Sequence, residues 1–338
     1  MASQTVLKKA ACVIGGTGFV ASLLIKLLLD KGYAVNTTVR DPENQKKVSH
    51  LLELQNLGDL KIFRADLTDE GSFDAAISGC DFVFHVATPV HFDSEDPEND
   101  MIKPAIQGVL NVLKACKKSK ALKRVILTSS AAAVSINKLN GVGLVMDESC
   151  WTDVEFLTSE KPPTWGYAAS KTLGEKAAWK FAEENQMDLI TVSPSLMAGS
   201  SLTQDVPSSV CLAMSLLTGN ELLINGIKVM QTLSGSISIT HVRDVCRAQI
   251  FLAEKESASG RYICCHINTS VIELAKFLRE RYPQYNVPTE YEFGDFPKAK
   301  LIISSEKLIK EGFSFKYGIK EIYDQSVEYF KSKGLLQN

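Results

Sequence analysis

The chain has 338 residues, 45% of them apolar and 22% charged, a balance that excludes a disordered chain and allows about two domains with a core that needs no staples. With 37 basic against 39 acidic residues its formal charge is −2, so no bulk electrostatic pull directs it toward nucleic acid or an anionic membrane. Residues 10–14 form a short apolar run that enters Gly15-Gly16-Thr17-Gly18, and 19–31 read as a helix with Leu24, Leu27 and Leu28 inward. Strands are predicted at 33–39, 60–65, 82–86 and 125–128, alternating with helices at 43–55, 72–77 and 104–116. After an irregular stretch come a helix over 166–184 and a strand over 189–192. Strands separated by helices pair in parallel with helices on both faces, so the expected fold is α/β, a Rossmann-type doubly wound parallel sheet.

The alternation stops near Pro194. Residues 195–233 are rich in Ser, Gly and Met, with one helix expected at 210–217. A strand at 236–240, a helix at 242–254 and a strand at 261–264 are assigned back to the first sheet. Helices at 271–282 and 319–333 are left for a smaller, mostly C-terminal lobe. The expected division is therefore 8–194 with 234–264 as one domain, and 195–233 with 265–335 as the lobe. Eight cysteines are scattered apart from the adjacent Cys264–Cys265, with no C-x-x-C, and read as reduced thiols in apolar surroundings. No histidine pair has metal-ligand spacing, so no metal is expected. His85 lies inside a strand and reads as a satisfied core residue. The segment 1–9 lacks a signal-peptide core, and the apolar run 19–29, broken by Lys26, is too short to span a bilayer. A cytoplasmic protein is expected.

The segment Gly15-Gly16-Thr17-Gly18-Phe19-Val20-Ala21 lies between a strand and a helix. In that context glycines let the backbone approach a pyrophosphate, and the helix N-terminus offers free N–H groups to the anion. A tight turn without ligand is the competing reading. At the end of the second strand stands Val39-Arg40-Asp41, where an NAD-binding protein places a carboxylate for the ribose hydroxyls. A guanidinium at this point suits a 2′-phosphate, with Lys46 and Lys47 close behind, and favours NADPH (NADP+). A solvated basic turn is the alternative there.

Tyr167-Ala168-Ala169-Ser170-Lys171 puts a phenol and an ammonium on one face of a predicted helix. A free tyrosine has a pKa of about 10, and a neighbouring ammonium would lower it toward use as a proton shuttle. At the end of the fifth strand, Thr128-Ser129-Ser130 supplies a hydroxyl that could polarise a substrate oxygen.

Taken together, the Gly15–Ala21 pattern, Thr128-Ser129-Ser130-Ala131 and Tyr167-x-x-x-Lys171 resemble the extended short-chain dehydrogenase/reductases. Val86-Ala87-Thr88-Pro89-Val90, Asp96-Pro97-Glu98-Asn99-Asp100 and Asp147-Glu148-Ser149-Cys150-Trp151 narrow the resemblance to the flavonoid and cinnamoyl reductase branch. The stretches 12–19, 86–92 and 261–265 are most similar to the plant anthocyanidin reductases, a family that reduces anthocyanidins with NADPH to flavan-3-ols. Thr164-Trp165-Gly166-Tyr167-Ala168 departs from the Asn-Trp-Tyr-Cys-Tyr pattern of the cinnamoyl-CoA reductases.

The resemblance implies Gly15, Thr17, Gly18, Phe19 and Val20 at the pyrophosphate and Arg40 with Lys47 at the 2′-phosphate. It places Asp66 and Leu67 by the adenine, and Val86, Ala87 and Thr88 along the nicotinamide ribose. Ser130, Tyr167 and Lys171 become the catalytic triad, with Ser129 as the competing serine; Lys171 also reaches the nicotinamide ribose. His91, Trp165, Leu196, Met197 and Met214 are candidates for the substrate wall, each also readable as ordinary packing. The partner implied is a small flavonoid, with weak association with other flavonoid enzymes and no nucleic acid or membrane span. A dihydroflavonol 4-reductase is the nearest alternative, and a non-catalytic NADP(H) sensor the alternative from another class.

Overall fold

The computed structural model describes residues 8–90, 92, 94–137, 144–289, 293 and 301–337. In chain order, β1 (Ala10–Ile14), α1 (Phe19–Asp30), β2 (Ala34–Val39), α2 (Gln45–Leu54), β3 (Leu60–Arg64), α3 (Asp74–Ile77), β4 (Phe82–His85), α4 (Lys103–Lys118) and β5 (Arg124–Thr128) alternate. Short β6 (Leu144–Met146) and α5 (Val154–Glu160) intervene before α6 (Trp165–Glu184) and β7 (Leu189–Pro194). Then follow β8 (Leu196–Ala198), α7 (Ser208–Ala213), α8 (Ser215–Thr218), α9 (Glu221–Ser234), β9 (Ile237–His241), α10 (Val242–Glu254) and β10 (Gly260–Cys264). The chain closes with β11 (Ile267–Thr269), α11 (Val271–Arg281), β12 (Leu301–Ile303), α12 (Glu306–Lys310) and α13 (Ile319–Ser332).

The main layer is a seven-stranded sheet of order β10-β7-β5-β4-β1-β2-β3, parallel at every pairing. Successive side chains of a strand point to opposite faces, and both faces here are covered. Ala11 and Val13 enter a core shared with α1, α2 and α10, while Cys12 and Ile14 enter one shared with α3, α4 and α6. That is why the central strands β1, β4 and β5 read as near-continuous apolar runs. On α1, the buried stripe Val20, Leu24, Ile25 and Leu28 recurs at helical spacing, each full burial stabilising by about 1.5–3 kcal/mol. The order changes direction on either side of β1, and such a switch point opens a ligand crevice at the carboxyl ends of the strands.

The strand expected at 236–240 does not join this layer. β9 pairs in parallel with β8 and antiparallel with β11 in a separate three-stranded sheet. Its Ile237 and Ile239 sink into a second core with Leu274, Ile322 and Tyr323, and the place beside β7 is taken by β10. The helix expected at 210–217 is split at Met214 into α7 and α8. Helix α9 was not anticipated, because Asn225-Gly226 reads as a turn. Its start is capped by Asn220, whose side chain accepts from the Leu223 N–H at 3.1 Å, and Ile227 anchors it in the second core. β6 and β12 form a two-stranded parallel pair that sequence alternation did not signal. Among the described residues, no helix is long and apolar enough to cross a membrane.

Candidate active site

The loop between β1 and α1 is shaped by two glycines. Gly15 has φ +90°, and a Cβ there would lie 2.7 Å from Cβ of Ala87. A Cβ on Gly16 would come within 2.3 Å of Thr37 Oγ1, so a larger residue at either position forces its neighbours to shift. Gly18 precedes α1 with no side-chain cap, and the first turn holds no acidic residue. The first N–H groups of the helix are thus left to an anion. Thr17 and Phe19 are half-buried beside them, whereas the Val20 side chain belongs to the core. Ser22 braces the loop from behind, its Oγ lying 2.6 Å from Gly18 O, 3.1 Å from Gly16 O and 2.9 Å from His50 Nε2. Sequence inspection missed that brace, since Ser22 and His50 meet only once α2 packs on α1.

Arg40 stands exposed at the end of β2. The adjacent Asp41 is turned to its own loop, its Oδ1 accepting from the Glu43 N–H at 3.1 Å. Lys47 is exposed in the first turn of α2, while Lys46 pairs with Asp205 at 3.1 Å. Asp66, after β3, accepts from the Thr68 N–H at 2.8 Å and the Thr68 hydroxyl at 2.7 Å. These bonds, the N–H first, hold its carboxyl below the usual range, with a smaller pull from Arg40. Leu67, Val86, Ala87 and Thr88 are half-buried along the same crevice. A glycine-rich loop, an uncapped helix end and an exposed guanidinium at the second strand suit a dinucleotide with a 2′-phosphate.

The two serines after β5 point different ways. Ser129 is buried and its hydroxyl donates to Glu175 Oε2 at 2.5 Å. Ser130 has an extended backbone and its Oγ accepts from the Ala132 N–H at 3.1 Å. Tyr167 and Lys171 share a face of α6. Lys171 is 8% exposed and donates to Thr128 O at 2.9 Å. Burial pushes the Tyr167 phenol up, and Ser130 draws it part of the way back. Burial pulls Lys171 down to about 8, against the opposing charge of Glu175. The phenol is therefore protonated at neutral pH, a donor rather than the ready phenolate that a Lys171 contact was expected to create.

His85 is buried at the end of β4, but neither ring nitrogen has a hydrogen-bond partner among the described residues. It is thus not the satisfied core histidine expected; burial, then the Lys171 charge, drives its pKa down to about 3 and leaves the ring neutral. Cys264 and Cys265 are buried as expected, and burial raises both thiols, Cys265 to about 11.

Of the candidate substrate residues, His91 lies outside the described residues. Trp165 is half-buried against Ile102, Ile136 and Leu157 with Lys161 above its ring. Met197 is half-buried against the main core and Leu196 against the second one. Met214 is fully buried and is core, not wall. Phe92 was missed: 49% exposed, its ring centroid is 5.4 Å from that of Tyr167. The signal available was an aromatic residue closing the 86–92 stretch that follows β4.

The profile of the "NAD dependent epimerase/dehydratase family" matches residues 11–265. An anthocyanidin reductase ((2S)-flavan-3-ol-forming) of Vitis vinifera is 82% identical over 332 residues, 98% of each chain. A dihydroflavonol 4-reductase of Arabidopsis thaliana is 45% identical over 97% of this chain and 84% of its own. Among solved structures, vestitone reductase from alfalfa (Medicago sativa) superposes with a TM-score of 0.84 at 38% identity, covering 97% of this chain and 100% of its own. Yeast methylglyoxal/isovaleraldehyde reductase Gre2, complexed with NADPH, does so with a TM-score of 0.82 at 26% identity over 97% and 100%. The chain belongs to the NAD dependent epimerase/dehydratase family and, within it, to the anthocyanidin reductases.

Proposed function

We infer that this protein is an NADPH-dependent oxidoreductase that reduces anthocyanidins, such as cyanidin, to flavan-3-ols, such as epicatechin. The observation that carries the reading is the 82% identity over 98% of both chains, and the Tyr167–Lys171 spacing on α6 with Ser130 just after β5 supports it. The dihydroflavonol alternative stands at 45% identity, and a sensor has no need of a buried lysine beside a polarised phenol.

NADPH, when bound, supplies hydride. The loop Gly15–Gly18 and the start of α1 would hold its pyrophosphate, with Arg40 and Lys47 at the 2′-phosphate and Asp66 and Leu67 by the adenine. Val86, Ala87 and Thr88 would line the nicotinamide ribose, which Lys171 would orient. Converting a flavylium cation to a neutral flavan-3-ol takes two hydrides and one proton. Tyr167, kept protonated by burial, donates that proton or holds a ring hydroxyl protonated, while Ser130 steadies the phenol and the substrate oxygen. Phe92, Trp165 and Met197 supply apolar surface for a flat aromatic substrate, with His91 in the adjoining segment. Division into a cofactor domain (8–194 with 234–264) and a substrate lobe (195–233 with 265–335) belongs to the same reading. So do cytoplasmic residence and weak association with other flavonoid enzymes.

The purified protein with NADPH is expected to consume cyanidin and yield a colourless flavan-3-ol, with little activity on a dihydroflavonol, as followed by NADPH absorbance and product chromatography. The inverse pattern would move the assignment to dihydroflavonol reduction. NADPH binding without turnover of either would leave the sensor.

A further inference from the structure

We propose that Glu175, clamped by Arg261, is a positioning residue of the active site: its buried carboxylate is the counter-charge that holds the Lys171 ammonium behind the Tyr167 phenol. The proposal rests on the reductase reading, in which Lys171 serves Tyr167.

Tyr167, Lys171 and Glu175 recur at four-residue intervals and so lie along one stripe of α6. The Glu175 side chain is fully buried. Its Oε1 accepts from Thr191 Oγ1 at 2.7 Å and Arg261 Nε at 2.8 Å, with Trp179 Nε1 at 3.5 Å. Its Oε2 accepts from Ser129 Oγ at 2.5 Å, with Arg261 Nη2 at 3.5 Å. Arg261, on β10, also donates to Glu148 O and Cys150 O at 2.7 Å each and lies 3.5 Å from the centroid of the Trp151 ring. One carboxylate is thereby fixed from β5, β7 and β10 at once. A buried ion pair is a poor source of stability compared with apolar residues of equal volume, so a fully satisfied one beside a reaction centre points to a use.

The use follows from what Lys171 faces. A cavity of about 20 Å³, room for one water, is lined jointly by Lys171, Glu175, Ser129 and Thr128, and Arg261 is not part of that lining. On its own helix Lys171 shares a stripe with Tyr167 and Glu175; β4 offers the neutral His85 and β5 the Thr128 carbonyl. α4 contributes Ala105 and Val109 to the cavity wall, neither titratable, and β10 places Arg261 behind the carboxylate. Glu175 is the group that opposes the effect of burial on Lys171. Without its charge the ammonium would lose its proton at lower pH.

The test is the pH profile of kcat/KM for Glu175→Gln, divided at each pH by that of the wild type, so that titration of the pigment cancels. The ratio is expected to fall about fivefold between about pH 6 and about pH 8 and to approach a tenfold fall above about pH 9, the effect of a one-unit downward shift in Lys171. Glu175→Asp, which keeps the charge, should give a nearly flat ratio. The double variant Glu175→Gln with Arg261→Met leaves no orphaned buried guanidinium, which guards against misfolding, and should show a fall in the same direction but smaller, since a neighbouring positive charge is removed with the carboxylate. A ratio that is flat across the range in a folded variant lacking the carboxylate, the mark of a purely structural role, overturns the proposal alone. A wild-type chain inactive with NADPH and anthocyanidins overturns the reductase reading and this proposal with it.

Discussion

Replacing Tyr167 by phenylalanine is expected to lower turnover by roughly 10²–10⁴-fold while NADPH binding survives. The magnitude is that of losing a general acid. Phenylalanine keeps the ring whose centroid lies 5.4 Å from that of Phe92, so the loss isolates the hydroxyl. Near neutral pH an anthocyanidin tends to lose a proton and become a less electrophilic quinoid. The flavylium cation that persists in acid accepts hydride without prior protonation. The sign of the pH effect follows: the residual rate of Tyr167→Phe should recover partly as pH is lowered, because the substrate then carries the proton that the phenol no longer supplies. Steady-state rates across pH, with NADPH affinity measured by fluorescence, check both parts. Equal loss at every pH with intact cofactor binding would assign the hydroxyl to substrate positioning instead.

Arg40→Ala is expected to raise KM for NADPH by about 10- to 150-fold relative to KM for NADH, the loss of a charge-assisted pair worth roughly 1.5–3 kcal/mol. Arg40 is exposed, and the Asp41 carboxylate is drawn to the Glu43 N–H, leaving the guanidinium available to a 2′-phosphate. Because the site is open to solvent, the preference should also weaken as salt is raised. An unchanged NADPH-to-NADH preference in the variant would sink the assignment of Arg40.

Much of the fold was legible because its signals are local. A strand buried on both faces reads as an unbroken apolar run, as at Val125-Ile126-Leu127, and a helix between such runs shows its stripe, as Leu24 and Leu28 do. Glycines that a loop cannot replace stand out next to them. β9 shows where this legibility stops. Ile237 and Ile239 look like any buried strand, and which sheet they enter depends on β8 and β11 pairing with them and on β10 occupying the edge beside β7. Asn225-Gly226 is a turn by local preference and part of a helix by packing. Pairing partners and long-range burial outweigh propensities worth a few tenths to one kcal/mol per residue.

The same division runs through the site. By itself the sequence determined the α/β class, the glycine loop, the arginine at the second strand and the Tyr167–Lys171 pair, all carried by residues close in the chain and held in order by one turn or one helix. Only the tertiary structure set Ser129 and Ser130 apart, since adjacent residues leaving a strand face opposite ways. One hydroxyl donates to Glu175 in the interior, and the other accepts from the Ala132 N–H. It also brought Ser22 to His50, Phe92 to Tyr167, and Arg261 across 86 positions to Glu175. These contacts join residues far apart in the chain, and they form when whole helices and strands pack, which no local pattern encodes.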